Sequence, residues 1–122
     1  MNLNNTFDSQ DFTVKITDGI PVLKFNMLRA TVTEAKDFKH NLIRLISANH
    51  RFIIIDFTEC AFIDSAIVGV MLTVVKDLRN NKGDLLAVVS PGTVNNVFAR
   101  TGLDRIFKKF ENVSDALASI NP

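Results

Sequence analysis

Phe62-Ile63-Asp64-Ser65-Ala66-Ile67-Val68-Gly69 lies between an apolar run, Phe52-Ile53-Ile54-Ile55-Asp56-Phe57, and a long stretch with helical periodicity. The arrangement reads as a strand, a short connection, and a helix that opens on Asp64-Ser65. A hydroxyl at a helix start sits beside unpaired backbone N–H groups and the positive end of the helix dipole. There it can cap the helix, or it can carry a phosphate. The choice between these two roles decides the function of the chain.

Working outward from this stretch gives the rest of the fold. The run Phe52 to Phe57 has no polar alternation before Asp56, as expected of a central strand buried on both faces. Upstream, Phe12, Val14 and Ile16 alternate with Thr13, Lys15 and Thr17, the pattern of a half-buried strand. Asp18-Gly19 supplies a two-residue hairpin turn, and Ile20 to Phe25 is the returning strand. Pro21 places that strand at a sheet edge. Thr31 and Glu34 form a capping-box pattern, followed by Val32, Ala35, Phe38, Leu42, Leu45 and Ile46 on one helical face. Downstream, the helix from Ser65 runs to about Asn81, with Gly83 as its stop. Leu85 to Val89 is another buried strand, and Ser90-Pro91 starts a third helix with proline at its first position. Gly102 ends that helix, Ile106 to Phe110 is a short strand, and Asn112 caps a last helix to Ile120.

The expected order is β-β-α-β-α-β-α-β-α. This is an α/β chain: a small mixed β-sheet with an N-terminal antiparallel hairpin, parallel strands joined by right-handed crossovers, and about four helices. Residues 1–11 are polar and read as a flexible N-terminal segment, and residues 12–120 as a single domain.

A projection at about 100° per residue places Ser65, Gly69, Thr73, Lys76 and Asn80 on one side of the helix. Ile67, Val70, Met71, Val74 and Leu78 fall opposite and are expected to face the sheet. Val68, Leu72 and Val75 lie on a flank, with Leu72 at least partly exposed. The face near Ser65 therefore offers Ala66, Val68, Gly69 and Leu72 as a small docking surface. The alternative is that Val68 and Leu72 pack against a neighbouring helix.

Composition narrows the functional classes. Hydrophobic residues make up 47% and charged residues 22%, an ordinary globular balance. The formal net charge is +1 with scattered basic residues, which gives no footprint for nucleic acid. The start, Met1 to Thr6, lacks the basic and apolar regions of a signal peptide. The longest apolar stretch, Ala66 to Val75, is too short to span a bilayer. One cysteine, Cys60, excludes an internal disulfide and a cysteine-clustered zinc site. A cytoplasmic protein without membrane insertion or cofactor is expected. His40 and His50 lack a second ligand at helical spacing, so no metal site is read from them. No glycine-rich phosphate loop and no catalytic triad can be assembled, so the chain reads as a non-enzyme. Asp56 ends a buried strand, as the phosphoacceptor of a response-regulator receiver does. A receiver, however, needs an acidic pair after its first strand and begins with a β-α unit. Asp56 reads instead as a loop-capping or site-shaping carboxylate.

The chain resembles the STAS domain, the sulfate-transporter and anti-sigma-factor-antagonist family, over about residues 12–120. The resemblance rests on Ile53-Ile54-Ile55-Asp56-Phe57, Phe62-Ile63-Asp64-Ser65, Gly69-Val70, Asn81-Lys82-Gly83-Asp84-Leu85, and Ala99 to Phe107. Standalone domains of this size resemble the bacterial anti-sigma-factor antagonists. The resemblance implies phosphorylation at Ser65, with Asp64, Asp56 and Arg29 as its neighbours. The implied partners are an anti-sigma factor that is also a serine kinase of the histidine-kinase-like ATPase type, and a PP2C-type phosphatase. The alternative is a structural module, such as a subunit of a lipid-transport complex, in which Ser65 is only a cap. Three positions depart from the family pattern. Ala66 and Ile67 replace a second small polar residue and a glycine, and Arg29 stands where an acidic residue is usual. These departures point to different partner rules.

Overall fold

The computed structural model describes residues 6–8 and 11–121. Eight strands and four α-helices follow in the order β1 (Thr6–Asp8), β2 (Phe12–Thr17), β3 (Ile20–Phe25), β4 (Arg29–Ala30), α1 (Val32–Ser47), β5 (Phe52–Asp56), β6 (Phe62–Ile63), α2 (Ser65–Asn80), β7 (Asp84–Val88), α3 (Thr93–Thr101), β8 (Lys108–Phe110) and α4 (Val113–Ile120). A short 3₁₀ turn, Leu103–Arg105, joins α3 to β8. Six strands form one sheet in the order β1-β2-β3-β5-β7-β8, and β4 pairs with β6 in a separate two-stranded ladder. β1-β2 and β2-β3 are antiparallel, whereas β3-β5, β5-β7 and β7-β8 are parallel. The mixed α/β architecture is the expected one. The sequence pattern did not show β1, β4 or β6, and β1 falls within the segment read as flexible.

The crossovers explain the layering. From β3 the sheet grows in one direction through β5, β7 and β8, with α1, α2 and α3 as successive connections. Crossovers of one hand, moving one way, deposit their helices on the same face. The larger core accordingly contains Phe38 and Leu42 of α1, Ile67 and Met71 of α2, and Phe98 of α3. The opposite face carries a smaller core of Ile20, Val22, Ile54, Leu86 and Val88, covered by Ala116 of α4. Ile53 and Ile55 point one way and Ile54 the other, so β5 is buried on both faces. Phe12, Phe25, Phe38, Phe57, Phe98 and Phe107 make a continuous aromatic chain through the larger core, with neighbouring centroids 4.8 to 6.2 Å apart. Phenylalanine brings no polar atom that needs a partner there.

Local chemistry accounts for the element ends. Asp18 and Gly19 both have positive φ, 52° and 80°, as a type I′ hairpin turn requires. Thr31 and Glu34 form the capping box at the start of α1. Gly102 ends α3 in the left-handed conformation, and the side chain of Asn112 caps α4.

Four expectations are corrected. β3 is an interior strand, not an edge. Pro21 is tolerated because it sits opposite Ile16, next to the turn-closing pair Thr17–Ile20. That pair is hydrogen-bonded, so the next residue directs its backbone nitrogen away from β2. The ladder with β5 begins only at Val22, so the missing N–H is not needed there. Pro91 is not the first residue of α3; the helix begins at Thr93, after Gly92. Gly83 does not supply the left-handed stop of α2, because Lys82 does, with φ 64°. The Gly83 N–H bonds the Leu78 carbonyl and the Lys82 N–H that of Arg79, a Schellman pair. Glycine is required at 83 for another reason: a Cβ there would lie 1.8 Å from the Arg51 carbonyl oxygen. Finally, Val32 is not a core residue of α1. It is 71% exposed, because its turn sits against the start of α2 and not over the sheet.

Candidate functional site

The start of α2 is built by the β4-β6 ladder. Arg29 pairs with Phe62 and Ala30 with Ile63, and the Asp64 N–H donates to the Ala30 carbonyl at 3.2 Å. This brings the first turn of α1, which directly follows β4, against the first turn of α2, which directly follows β6. One carboxylate joins them. Asp64 Oδ1 accepts from the N–H groups of Ala66 and Ile67 at 3.0 and 3.2 Å. Its Oδ2 accepts from the N–H of Val32 at 2.8 Å. Asp64, with extended backbone, is therefore the N-cap of α2 and also holds the first amide of α1.

This geometry overturns the reading of Ser65 as a helix cap. Ser65 is the first residue inside α2, one position past the cap. Its side chain is exposed and makes no hydrogen bond among the described residues. Aspartate and serine cap about equally well, but the carboxylate has a second oxygen that also holds the Val32 amide, which favours Asp64 over its neighbour.

Around Ser65, Ala66 and Val68 are half-buried and pack against the larger core, while Gly69 and Leu72 face outward, Leu72 at 38% exposure. Val75 is buried, whereas Val70 is only half-buried, the reverse of the projection. The reason is that α2 packs against α1 as well as against the sheet, which rotates the buried stripe toward the neighbouring helix. Gly69 lies in the middle of the helix, and a Cβ on it would meet nothing within 4 Å. The fold therefore gains nothing from glycine there, although glycine weakens a helix interior by about 1 kcal/mol relative to alanine. Gly69→Ala is expected to raise stability by about 0.5–1 kcal/mol in urea unfolding.

Two residues missed by the pattern complete the surface. Leu28 and Val32 are the most exposed large apolar side chains among the described residues, at 70% and 71%. Leu28 is fixed by its carbonyl, which accepts from the N–H groups of Ala61 and Phe62 at 2.7 and 3.0 Å. Val32 is tied to Asp64 as above. The signal for Val32 was its place directly after the Thr31 cap, ahead of the core stripe. Leu28 lies in a stretch without periodicity and left no such trace.

The remaining candidates separate. The Arg29 guanidinium lies over the Phe62 ring, 4.3 Å from its centroid. Asp56 is buried at the end of β5, where Oδ1 accepts from the Thr58 N–H at 2.9 Å. It shapes its own loop and makes no bond to Ser65 among the described residues. Opposite Asp56 on β3, Lys24 pairs with Glu59. That hydrogen bond, with the charges of Glu59 and Asp56, raises the Lys24 pKa above its ordinary value. Its small contribution to stability is thus present at neutral pH and is lost only as pH rises past the raised value. Burial pushes the Cys60 thiol up, and its Sγ lies 3.2 Å from the Phe62 carbonyl oxygen. Such a thiol is a structural one. His40 and His50 both border a cleft of about 640 Å³ between β2 and α1, with Val14, Ile16, Ile43 and Leu45. Among the described residues no three His, Cys, Asp or Glu side chains are placed to hold a metal ion, and no helix is long and apolar enough to cross a membrane.

The fold and the site define the class: a small mixed α/β domain that presents a serine hydroxyl at a helix start. The chain belongs to the STAS domain family, which matches residues 11–116. A Thermotoga maritima protein that carries the name of an anti-sigma factor antagonist is 28% identical over 111 residues, covering 89% of this chain and 96% of the relative. The unphosphorylated anti-sigma factor antagonist SpoIIAA superposes with a TM-score of 0.77 at 20% identity, over 90% of this chain and 96% of that one. The phosphorylated form of SpoIIAA, described as a Bacillus cell fate determinant, superposes with a TM-score of 0.69 at 19% identity, over 89% and 98%. At these identities the solved structures speak to the fold.

Proposed function

We propose that this protein is an anti-sigma-factor antagonist of the partner-switching kind, acting in the cytoplasm as a binding module and not as an enzyme. Unphosphorylated, it binds an anti-sigma factor through the surface made by Leu28, Val32, Ala66, Val68, Gly69 and Leu72. Phosphorylation of Ser65 releases it. The observation that carries this reading is the Ser65 hydroxyl: exposed, at the first position of α2, and relieved of capping by Asp64. A hydroxyl with no structural duty, next in sequence to the aspartate that holds exposed Val32, is placed to alter that surface when modified.

The names of the Thermotoga and SpoIIAA proteins support the same reading. The anti-sigma factor would also be the serine kinase, of the histidine-kinase-like ATPase type, and a PP2C-type phosphatase would reverse the modification. The test is incubation with the kinase encoded nearest to this protein and ATP, followed by mass-spectrometric mapping of phosphate. Phosphate on Ser65 is the expected result. An unmodified Ser65, with the kinase active on another substrate, removes the switch.

A further inference from the structure

We propose that Arg29 is the counter-ion of a phosphoryl group on Ser65, leaving its seat on Phe62 to take the phosphate oxygens. The inference deepens the preceding reading and rests on Ser65 as the modified residue. A phosphate at a helix start ordinarily takes its hydrogen bonds from free backbone N–H groups. Here all of those groups but the Ser65 N–H are already engaged. Asp64 holds the amides of Ala66, Ile67 and Val32, and Val68 N–H bonds the Asp64 carbonyl. On α1, Glu34 Oε1 accepts from the Thr31 N–H at 2.8 Å, and Thr31 Oγ1 accepts from the Thr33 N–H at 3.3 Å.

The local charge compounds the problem. Asp64 and Glu34 accept from the consecutive amides of Val32 and Thr31, so two carboxylates are locked beside the two helix starts. A phosphoserine adds about −1.5 to −2 charge to them. The compensating cation must come from a side chain, and Arg29 has the position. It pairs with Phe62 across the parallel β4-β6 ladder, about 4.8 Å away between strands. Ser65 follows Phe62 by three residues, at most about 11 Å along the chain. That gap is within the combined reach of an arginine and a phosphoserine side chain.

Arg29 is also available. It is exposed and makes no ion pair with a carboxylate among the described residues; its contact is the face of the Phe62 ring. An exposed cation–π contact is weaker than a bidentate, charge-assisted guanidinium–phosphate pair, so the exchange runs toward the phosphate. The unphosphorylated surface then offers a partner a cation beside Leu28 and Val32. In the phosphorylated form that cation is neutralised internally.

The test uses the full chain with phosphoserine genetically installed at position 65, followed by phosphorus-31 NMR through a pH titration. Removing a cation that pairs with the dianion raises the second pKa of the phosphate, which is about 6 for a free phosphoserine. Arg29→Gln is expected to raise it by about 0.5 or more, and Arg29→Lys by less. Lys76→Gln is the control. Lys76 lies on the same helix, eleven residues from Ser65 and about 16 Å along its axis, well beyond the screening length of about 8 Å. An unchanged titration in Arg29→Gln, or an equal rise in Lys76→Gln, overturns the proposal. Because the phosphate is installed without a kinase, the result is independent of whether a kinase modifies Ser65. A failure of the functional reading and a failure of this one are thereby distinguished.

Discussion

Under the proposed function, Ser65→Glu, or phosphate on Ser65, is expected to weaken binding of an anti-sigma-factor partner by about 100-fold or more, equivalent to about 3 kcal/mol. The size of the effect follows from where the charge appears. Leu28, Val32 and Leu72 are exposed apolar side chains, and a partner that covers them removes water from the space around Ser65. A charge placed in that space loses hydration when the partner docks, and if it draws Arg29 to itself it also withdraws the cation that the unmodified surface offers, so the contact loses several kcal/mol. The folded state does not suffer, because the Ser65 side chain contacts solvent and makes no hydrogen bond among the described residues. The expected pattern in calorimetric titration is full binding by wild type and Ser65→Ala, and loss of binding by Ser65→Glu with an unchanged melting temperature. Equal affinity of Ser65→Glu and wild type would rule out a charge-based switch on this surface.

Replacing Asp64 by alanine is expected to cost about 2–3 kcal/mol, whereas Ser65→Ala stays within about 0.5 kcal/mol of wild type. Asp64 satisfies three backbone amides on two helices. Loss of an N-cap costs about 1–2 kcal/mol, and the orphaned Val32 amide adds about 1 kcal/mol. Asp64→Asn keeps one acceptor oxygen and loses the other, so about half of the penalty is expected. Urea unfolding measures all three. A large loss in Ser65→Ala with a small one in Asp64→Ala would return the capping role to Ser65 and weaken its standing as a modification site.

The contrast between these two neighbours shows how far local pattern reaches. A helix start at Asp64-Ser65 is legible because an apolar strand, a polar pair and a helical stripe follow one another within one short stretch. Which of the two polar residues caps is not legible. The decision depends on Val32, thirty-two residues earlier, whose amide draws the carboxylate into a bond shared between helices. The same long-range contact exposes Val32, which by period alone belongs to the core stripe of α1. Val75 and Val70 exchange burial for a related reason: a projection knows one direction of packing, and α2 packs in two.

Short-range features were carried by the residues alone. The Asp18-Gly19 hairpin, the Thr31–Glu34 capping box, the doubly buried β5 and β7, and the Gly102 helix stop each depend on a few neighbouring side chains and their steric preferences. The two-residue ladder β4-β6 is different. Arg29-Ala30 and Phe62-Ile63 are too short to show a period, and they become strands only because the surrounding sheet and helices bring them together. That ladder places Arg29 on Phe62, Leu28 against Ala61, and Asp64 between two helix starts. Local sequence therefore specified the longer elements and the serine at the head of α2. The surroundings of that serine were set by tertiary contacts between segments about thirty residues apart, because caps, charges and exposed apolar groups take their roles from whatever the fold brings within hydrogen-bonding distance.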